Sequence, residues 1–135
     1  QIIERSKKYN FTKIAAIESR GFVFASAVSF VLKKPFIMLR KKNKLPADVH
    51  SVDFELEYGT ATIEVHKDSI NEKDKVLIID DLIATGGTAL ASAQLVRKCK
   101  AKSIEFYFII DLKNIGGSKK IGKNYKLTSI VEAKG

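Results

Sequence analysis

Apolar runs, separated by polar and helix-like segments, are the main pattern of this chain. The most continuous run, VLII at residues 76–79, is rich in branched side chains and lacks period-2 alternation, which is typical of a strand covered on both faces in a parallel sheet. Other apolar runs predict strands at residues 14–17, 36–39, 103–110 and 127–131. Helix-like segments at residues 22–33 and 89–99 lie between them. This order predicts an α/β fold with a mostly parallel sheet of about five strands and helices on both faces.

A different pattern covers residues 52–66, where apolar and polar side chains alternate. Phe54, Leu56 and Tyr58 alternate with acidic residues, and after Gly59 the apolar positions again fall on every second residue. Period-2 alternation is typical of strands with one exposed face, so this segment predicts a half-exposed β-hairpin. We expect one domain over residues 1–135, a length that suits a single core.

The charge balance favours polyanionic ligands. There are 24 Lys and Arg residues against 15 Asp and Glu, so the formal net charge is +9, which does not by itself separate phosphates from nucleic acid. We expect no nucleic acid partner, because basic residues are not interleaved with aromatic ones. The lone Cys99 excludes an internal disulfide framework and is expected in the core. No signal peptide or bilayer-crossing run is evident, so we expect a cytoplasmic protein without membrane contact.

Residues that can bind a ligand follow the central apolar run directly. Asp80 and Asp81 stand where that strand is expected to end, and ligands of open α/β sheets bind beyond the carboxyl ends of strands. A loop of small residues comes next and leads into the helix-like segment, where backbone amides can bind a phosphate. The loop residues are Ala84, Thr85, Gly86, Gly87 and Thr88.

Together these residues suit a ribose 5-phosphate. The loop amides and hydroxyls match a phosphate monoester, and the two carboxylates match a pair of sugar hydroxyls. A P-loop would require Gly-Lys-Ser/Thr, and because Gly87 is followed by Thr88 the pattern excludes a P-loop nucleoside triphosphatase. The alternative is a strand whose acidic end only caps a turn, since Asp and Gly are ordinary turn residues.

Cations follow two other predicted strands. Arg20 comes after the strand at residues 14–17 and precedes Gly21, so its guanidinium either reaches the same crevice as the carboxylates or remains an exposed loop side chain. The segment RKKNKLP follows the strand at residues 36–39, and its cations either join that crevice or form a solvated charge run. The residues alone leave both alternatives open.

Four stretches of the chain together resemble one family. VLIIDDLIATGGT resembles the phosphoribosyl diphosphate (PRPP) binding motif of type I phosphoribosyltransferases, and its DDLIATGGT part, together with ESRGF, RKKNKLP and LEYG, resembles the adenine branch. The resemblance implies that family's core fold and purine salvage, in which adenine and PRPP give AMP and diphosphate. It also implies Mg²⁺ held mainly by PRPP, and a homodimer. Family members carry an N-terminal hood over the base that has no counterpart here, and the chain opens on Gln1, so we expect a fragment of a longer protein.

The resemblance also implies roles for individual residues. Asp80 and Asp81 bind the ribose hydroxyls, and the loop at residues 84–88 binds the 5-phosphate. The diphosphate is bound by Ser19, Arg20, Arg40, Lys41 and Lys44. Asn43 stands where the family has glycine, and because Asn tolerates positive φ we expect the turn to be kept.

The segment LEYG resembles the flexible catalytic hairpin of the adenine branch. Glu57, with Tyr58 beside it, is the candidate acid/base that exchanges a proton with adenine, and closure of the hairpin excludes water. Two alternatives remain: a non-catalytic regulatory protein of the same fold that binds PRPP or a nucleotide, and a phosphoribosyltransferase for another base. The retained hairpin argues against the first, and the adenine-branch motifs argue against the second.

Overall fold

One mixed sheet of seven strands is found in the computed structural model, which describes residues 3–4, 10–43, 45, 48–56 and 59–135. The strands are β1 (Lys13–Ile17), β2 (Phe36–Lys41), β3 (Val49–Leu56), β4 (Gly59–His66), β5 (Lys75–Ile83), β6 (Ser103–Leu112) and β7 (Lys126–Ala133). The connections contain α1 (Arg20–Leu32), α2 (Gly87–Lys98) and the short α3 (Gly117–Gly122). The strand order across the sheet is β3-β4-β2-β1-β5-β6-β7.

The five strands predicted from apolar runs form the parallel part of this sheet. β1 pairs in parallel with β2 and β5, β5 with β6, and β6 with β7. The predicted hairpin, β3–β4, adds two antiparallel strands to the same sheet, because β4 pairs with the end of β2. The expected count of about five is exceeded for this reason. Ile63 and Val65 of β4 are buried in the same core as β1 and α2, which favours a hairpin in the plane of the sheet.

Each face of the sheet is covered by one of the two longer helices. Side chains of β1 and β5 alternate between the two cores. The core under α1 contains Ile14, Ala16, Leu77, Ile79, Ala25 and Val28. The core under α2 contains Ala15, Ile17, Val76, Ile78, Leu95 and Val96. This alternation confirms helices on both faces, and it explains why the run at residues 76–79 contains no polar position.

Strand β5 continues past the end of its apolar run. The prediction that Asp80 and Asp81 follow the end of the strand is wrong, because β5 extends to Ile83. The reason is that β6 continues beside it as far as the Ile83–Asp111 pair, whereas β1 already ends at Ile17. Beyond the end of β1, β5 therefore keeps a neighbour on one edge and has an open edge on the other. The two carboxylates lie in this part of the strand.

Two further findings concern the end of α2 and the lengths of the helices. Cys99, directly after α2, is buried, as expected of a small core side chain. None of the helices in the described ranges is long and apolar enough to cross a bilayer.

Candidate active site

A cavity of about 270 Å³ opens where β1 ends beside β5. It brings together most of the residues that the sequence singled out, although they come from two stretches about 60 residues apart in the chain. These lining residues are Ser19, Arg20, Asp80, Asp81, Ala84, Thr85, Gly86, Gly87 and Thr88. Glu18 and Phe108, which sequence reasoning did not select, also line it. The cavity is therefore walled by carboxylates, an arginine and a small-residue loop.

The loop between β5 and α2 is shaped by close backbone contacts. Gly86 has φ of 87°, a left-handed conformation that favours glycine, and its carbonyl accepts the Leu90 N–H with 2.9 Å between N and O. α2 begins at Gly87 and has no acidic side chain in its first turn. Because its first turn contains no acidic side chain, the positive end of the helix is available to an anion.

The first residue of α3, Gly117, packs directly against this loop. The Gly117 N–H donates to the Ala84 carbonyl with 2.9 Å between N and O. A Cβ on Gly117 would lie 2.6 Å from the carbonyl carbon of Thr85, which is too close for any side chain. Gly117 was missed from the sequence, where the only signal was the pair of glycines at positions 116 and 117. The loop therefore depends on a glycine from a distant part of the chain.

The two aspartates differ in their surroundings. Asp80 Oδ1 accepts the N–H of Asp81 with 2.8 Å between N and O, and a Cβ on Gly21 would lie 3.0 Å from the same oxygen. The pKa of Asp80 is raised to about 7, mainly by burial and in part by the neighbouring Asp81 side chain, against the lowering effects of that N–H and of Arg20. Asp80 is thus a carboxyl group that exchanges its proton near neutral pH.

Arg20 extends into the cavity from the first turn of α1. Its Nε lies 3.1 Å from Oδ2 of Asp81, and 81% of its side chain is exposed to solvent. The carbonyl of Ser19 accepts the N–H of Phe22 at 3.1 Å, and the peptide bond between Glu18 and Ser19 is cis. Arg20 therefore lines the cavity while most of its side chain is exposed, and its binding of a diphosphate stays a prediction.

The basic segment after β2 lies beside the cavity. Arg40 Nε donates to Glu18 Oε1 at 3.1 Å, and the N–H of Lys41 reaches the same oxygen at 3.3 Å. Arg40 and Lys41 do not line the cavity itself, and Lys44 lies outside the described residues. Asn43 has φ of 66°, which confirms that it keeps a turn suited to glycine. Glu18 joins this segment to the cavity.

Glu57 and Tyr58 lie outside the described residues. The strands on either side of them are described: β3 and β4 pair in register from Val49–His66 to Leu56–Gly59. This register confirms the predicted antiparallel pairing of the two strands of the hairpin.

No group of three or more His, Cys, Asp or Glu side chains is arranged to hold a metal within the part of the chain that is described. Asp80 and Asp81 offer carboxylate oxygens, the type of ligand that Mg²⁺ prefers. Mg²⁺ commonly binds proteins through one or two carboxylates and takes its other ligands from substrate phosphates and water. This pair fits a Mg²⁺ ion that arrives with a phosphorylated substrate.

Comparison with known proteins gives a consistent result. The family model described as "Phosphoribosyl transferase domain" matches residues 1–135. The chain is 68% identical over 136 residues to a protein of Pelagibacter ubique named adenine phosphoribosyltransferase, covering 100% of this chain and 78% of that protein.

Solved structures are similar as well. An adenine phosphoribosyltransferase from Thermoanaerobacter pseudethanolicus superposes with a TM-score of 0.90 at 39% identity, over 97% of this chain and 78% of that one. An adenine phosphoribosyltransferase from Trypanosoma brucei, solved in complex with AMP, pyrophosphate and ribose-5-phosphate, gives a TM-score of 0.86 at 29% identity over 97% of this chain and 61% of that one.

Proposed function

Because the chain belongs to the phosphoribosyl transferase domain family, we propose that it transfers the 5-phosphoribosyl group from PRPP to adenine, giving AMP and diphosphate in purine salvage. The observation that carries this proposal is the cavity in which Arg20, two aspartates and the β5–α2 loop meet. The similar enzyme of Trypanosoma brucei was solved with AMP, pyrophosphate and ribose-5-phosphate. AMP and pyrophosphate are the products of the proposed reaction, and ribose-5-phosphate corresponds to the sugar phosphate portion of PRPP.

We assign the ligand groups according to charge and donor type. The amides of residues 84–88, at the start of α2, bind the 5-phosphate, since a helix N-terminus without acidic side chains favours an anion. Asp80 and Asp81 accept hydrogen bonds from the ribose hydroxyls. Arg20 binds the diphosphate with the help of Ser19, Arg40, Lys41 and Lys44. These cations stabilise the negative charge that develops on the leaving diphosphate.

Glu57 is the proposed acid/base, with Tyr58 beside it. Its place in the sequence between β3 and β4 supports this role, because β4 is hydrogen-bonded to the end of β2, and loop closure over a cavity is a common way to complete a catalytic site. From there the carboxyl group exchanges a proton with the base as the bond to ribose forms or breaks.

Mg²⁺ is the proposed cofactor and is held mainly by PRPP. When bound, it neutralises charge on the diphosphate and makes it a better leaving group. Asp80 and Asp81 would orient the ribose that carries the diphosphate. Arg20 lines the same cavity and would stabilise charge on the diphosphate.

We further propose a homodimer that forms through the outer face of α1. Val23, Phe30 and Val31 are exposed on this helix, and Phe30 is 86% accessible. Three large apolar side chains exposed on one helix are a feature that interfaces often share. A second copy of the chain would cover this face next to Arg20. PRPP is a polyanion that cannot cross a bilayer unaided, so we place the enzyme with it in the cytoplasm.

The decisive experiment is formation of labelled AMP from adenine and PRPP with Mg²⁺, with hypoxanthine and guanine in parallel. We expect AMP with adenine alone, and a loss of about 100-fold or more in kcat for Glu57→Gln, the usual range for a general acid/base. Glu72→Gln, at an exposed position in a turn, is the matched control.

Other outcomes separate the alternatives. PRPP that binds without any turnover would support the regulatory function in place of catalysis. Formation of a nucleotide from hypoxanthine or guanine would show that the enzyme uses a base other than adenine. A chain that binds neither PRPP nor AMP would overturn the proposal altogether.

A further inference from the structure

Glu64 is a buried carboxylate that the proposed reaction does not use. It lies in β4 between the buried Ile63 and Val65, and only 9% of it is exposed. Its Oε1 accepts the N–H of Asn43 with 2.8 Å between N and O. Burying an acid without a hydrogen-bond partner costs free energy, and this contact offsets part of that cost for Glu64.

Asn43 belongs to a turn in which successive backbone N–H groups are all bound. The N–H of Lys41 donates to Glu18 Oε1 at 3.3 Å, and that of Lys42 donates to the Thr62 carbonyl at 3.1 Å. The N–H of Asn43 is bound by Glu64. The turn is therefore fixed from the end of β1 on one side and from β4 on the other.

This turn leads directly to Lys44 and follows Arg40, both of which we assign to the diphosphate. Asn43 has φ of 66°, an uncommon conformation for a residue other than glycine, and it persists where surrounding contacts hold it. The Glu64 contact is the one that acts on Asn43 itself. Without it the turn would lose a charged acceptor at its most strained residue.

We propose that Glu64 is a positioning residue for the diphosphate site, an inference that rests on the proposed function. Glu64 holds the backbone of the turn at residues 41–43, so that Arg40 and Lys41 face the diphosphate. It does so from β4, the second strand of the hairpin. The side chain acts through this turn and not by contact with the substrate.

The test compares two ligands that differ in the diphosphate. PRPP contains it and AMP does not, so loss of positioning must weaken PRPP binding more than AMP binding. Glu64→Met removes the acceptor at similar length, and we expect a PRPP Kd about tenfold higher with Mg²⁺ present, the effect of losing a hydrogen bond to a charged group. The AMP Kd should stay within about twofold. Glu64→Gln keeps an acceptor oxygen and should restore PRPP binding.

Controls separate this role from general damage. Glu72→Met makes the same change at an exposed turn and should alter neither Kd. Equal losses for PRPP and AMP in Glu64→Met, or an unchanged PRPP Kd, would overturn the positioning role. If that variant does not fold, Glu64→Asp, which withdraws the acceptor but keeps its charge, must still raise the ratio of the PRPP Kd to the AMP Kd.

Failure of the proposed function gives a different result. If the wild-type chain binds PRPP but forms no AMP, catalysis is refuted while the comparison of PRPP with AMP still decides the role of Glu64. If the wild-type chain binds no PRPP, both proposals are overturned together.

Discussion

Arg20 Nε lies 3.1 Å from Oδ2 of Asp81, so the cation assigned to the diphosphate is paired with a carboxylate assigned to the ribose. Because the arginine is largely exposed, this pair contributes only about 0–1 kcal/mol. A diphosphate can therefore take the arginine away from Asp81 at little cost. The pair keeps the two opposite charges close together until a ligand separates them.

The pair predicts opposite effects of two substitutions. Asp81→Asn should weaken AMP binding by about tenfold through a lost charged acceptor, but should leave inorganic diphosphate binding undiminished, because Arg20 is released. Arg20→Ala should weaken diphosphate binding and spare AMP. Calorimetric titration of each variant with each ligand measures both effects. If either variant lost affinity for both AMP and diphosphate to a similar extent, separate roles for the two residues would be refuted. The control is Asp68→Asn, at an exposed position in a turn.

Gly21→Ala should damage the site through Asp80. The added Cβ would lie 2.9 Å from the Ile79 carbonyl oxygen and 3.0 Å from Asp80 Oδ1, so the strand or the carboxylate must shift. A misplacement of about 1 Å in a catalytic site can cost about 100-fold in rate, and we expect a loss of up to that size in kcat/KM for AMP formation.

The chain offers a matched control for that change. Gly122→Ala places a Cβ in open space at the end of α3 and should leave activity unchanged. If Gly21→Ala remains fully active, Asp80 is not held by this close contact.

The pKa of Asp80 predicts a pH dependence of ligand binding. The group holds its proton below about pH 7 in the folded, ligand-free protein, against 3.8 when unperturbed. If ribose hydroxyls donate to the carboxylate, binding favours the ionised form, so AMP affinity should rise as pH increases through 7 and protons should be released. Titrations in buffers of different ionisation enthalpy measure this. Asp80→Asn removes the contribution of Asp80 and leaves that of the AMP phosphate.

The same pKa has the opposite effect on stability. Because the folded pKa is raised above the unfolded value, the folded state binds more protons between about pH 4 and 7. The contribution of Asp80 to the free energy of unfolding is therefore largest at acidic pH and is lost as pH rises to about 7. In denaturant unfolding of the ligand-free protein, the free energy of unfolding should fall as pH rises over this window. The decrease should be smaller in Asp80→Asn.

Phe30→Glu should dissociate the proposed dimer. A charge at the centre of the exposed α1 face opposes burial of that face against a second copy. Sedimentation velocity should show a dimer for the wild-type chain and a monomer for the variant. Gln94→Glu adds the same charge to an exposed position of α2 and should remain dimeric. A wild-type chain that is monomeric in this experiment would refute the proposed homodimer.

The sequence predicts the local parts of this molecule well, because each depends on neighbouring residues. The apolar run at residues 76–79 places the central strand, and the glycines at 86 and 87 place the loop before α2. The extension of β5 to Ile83 was not predictable, since two aspartates are poor strand residues and only pairing with β6 keeps them in the strand. Tertiary contacts override the local preference there.

Contacts between distant residues account for the rest of the site. Glu18 receives both Arg40 and the Lys41 amide, Glu64 receives the Asn43 amide, and Gly117 packs on the phosphate loop. No periodicity or spacing connects these residues along the chain. Their roles follow only from the folded arrangement.

The parallel pairing of β1 with β5 has a consequence for the order of folding. Thr12 and Lys75, which join the two strands at their start, are 63 residues apart in sequence, and contacts of this separation form slowly. During synthesis, β1, α1 and β2 emerge well before β5, and the loop at residues 84–86 must wait still longer for Gly117. Once β5 has emerged, a nascent chain can bury part of the core under α1 while the loop still lacks Gly117 and the chain cannot yet bind a sugar phosphate. Ligand binding is among the last properties that the growing chain acquires.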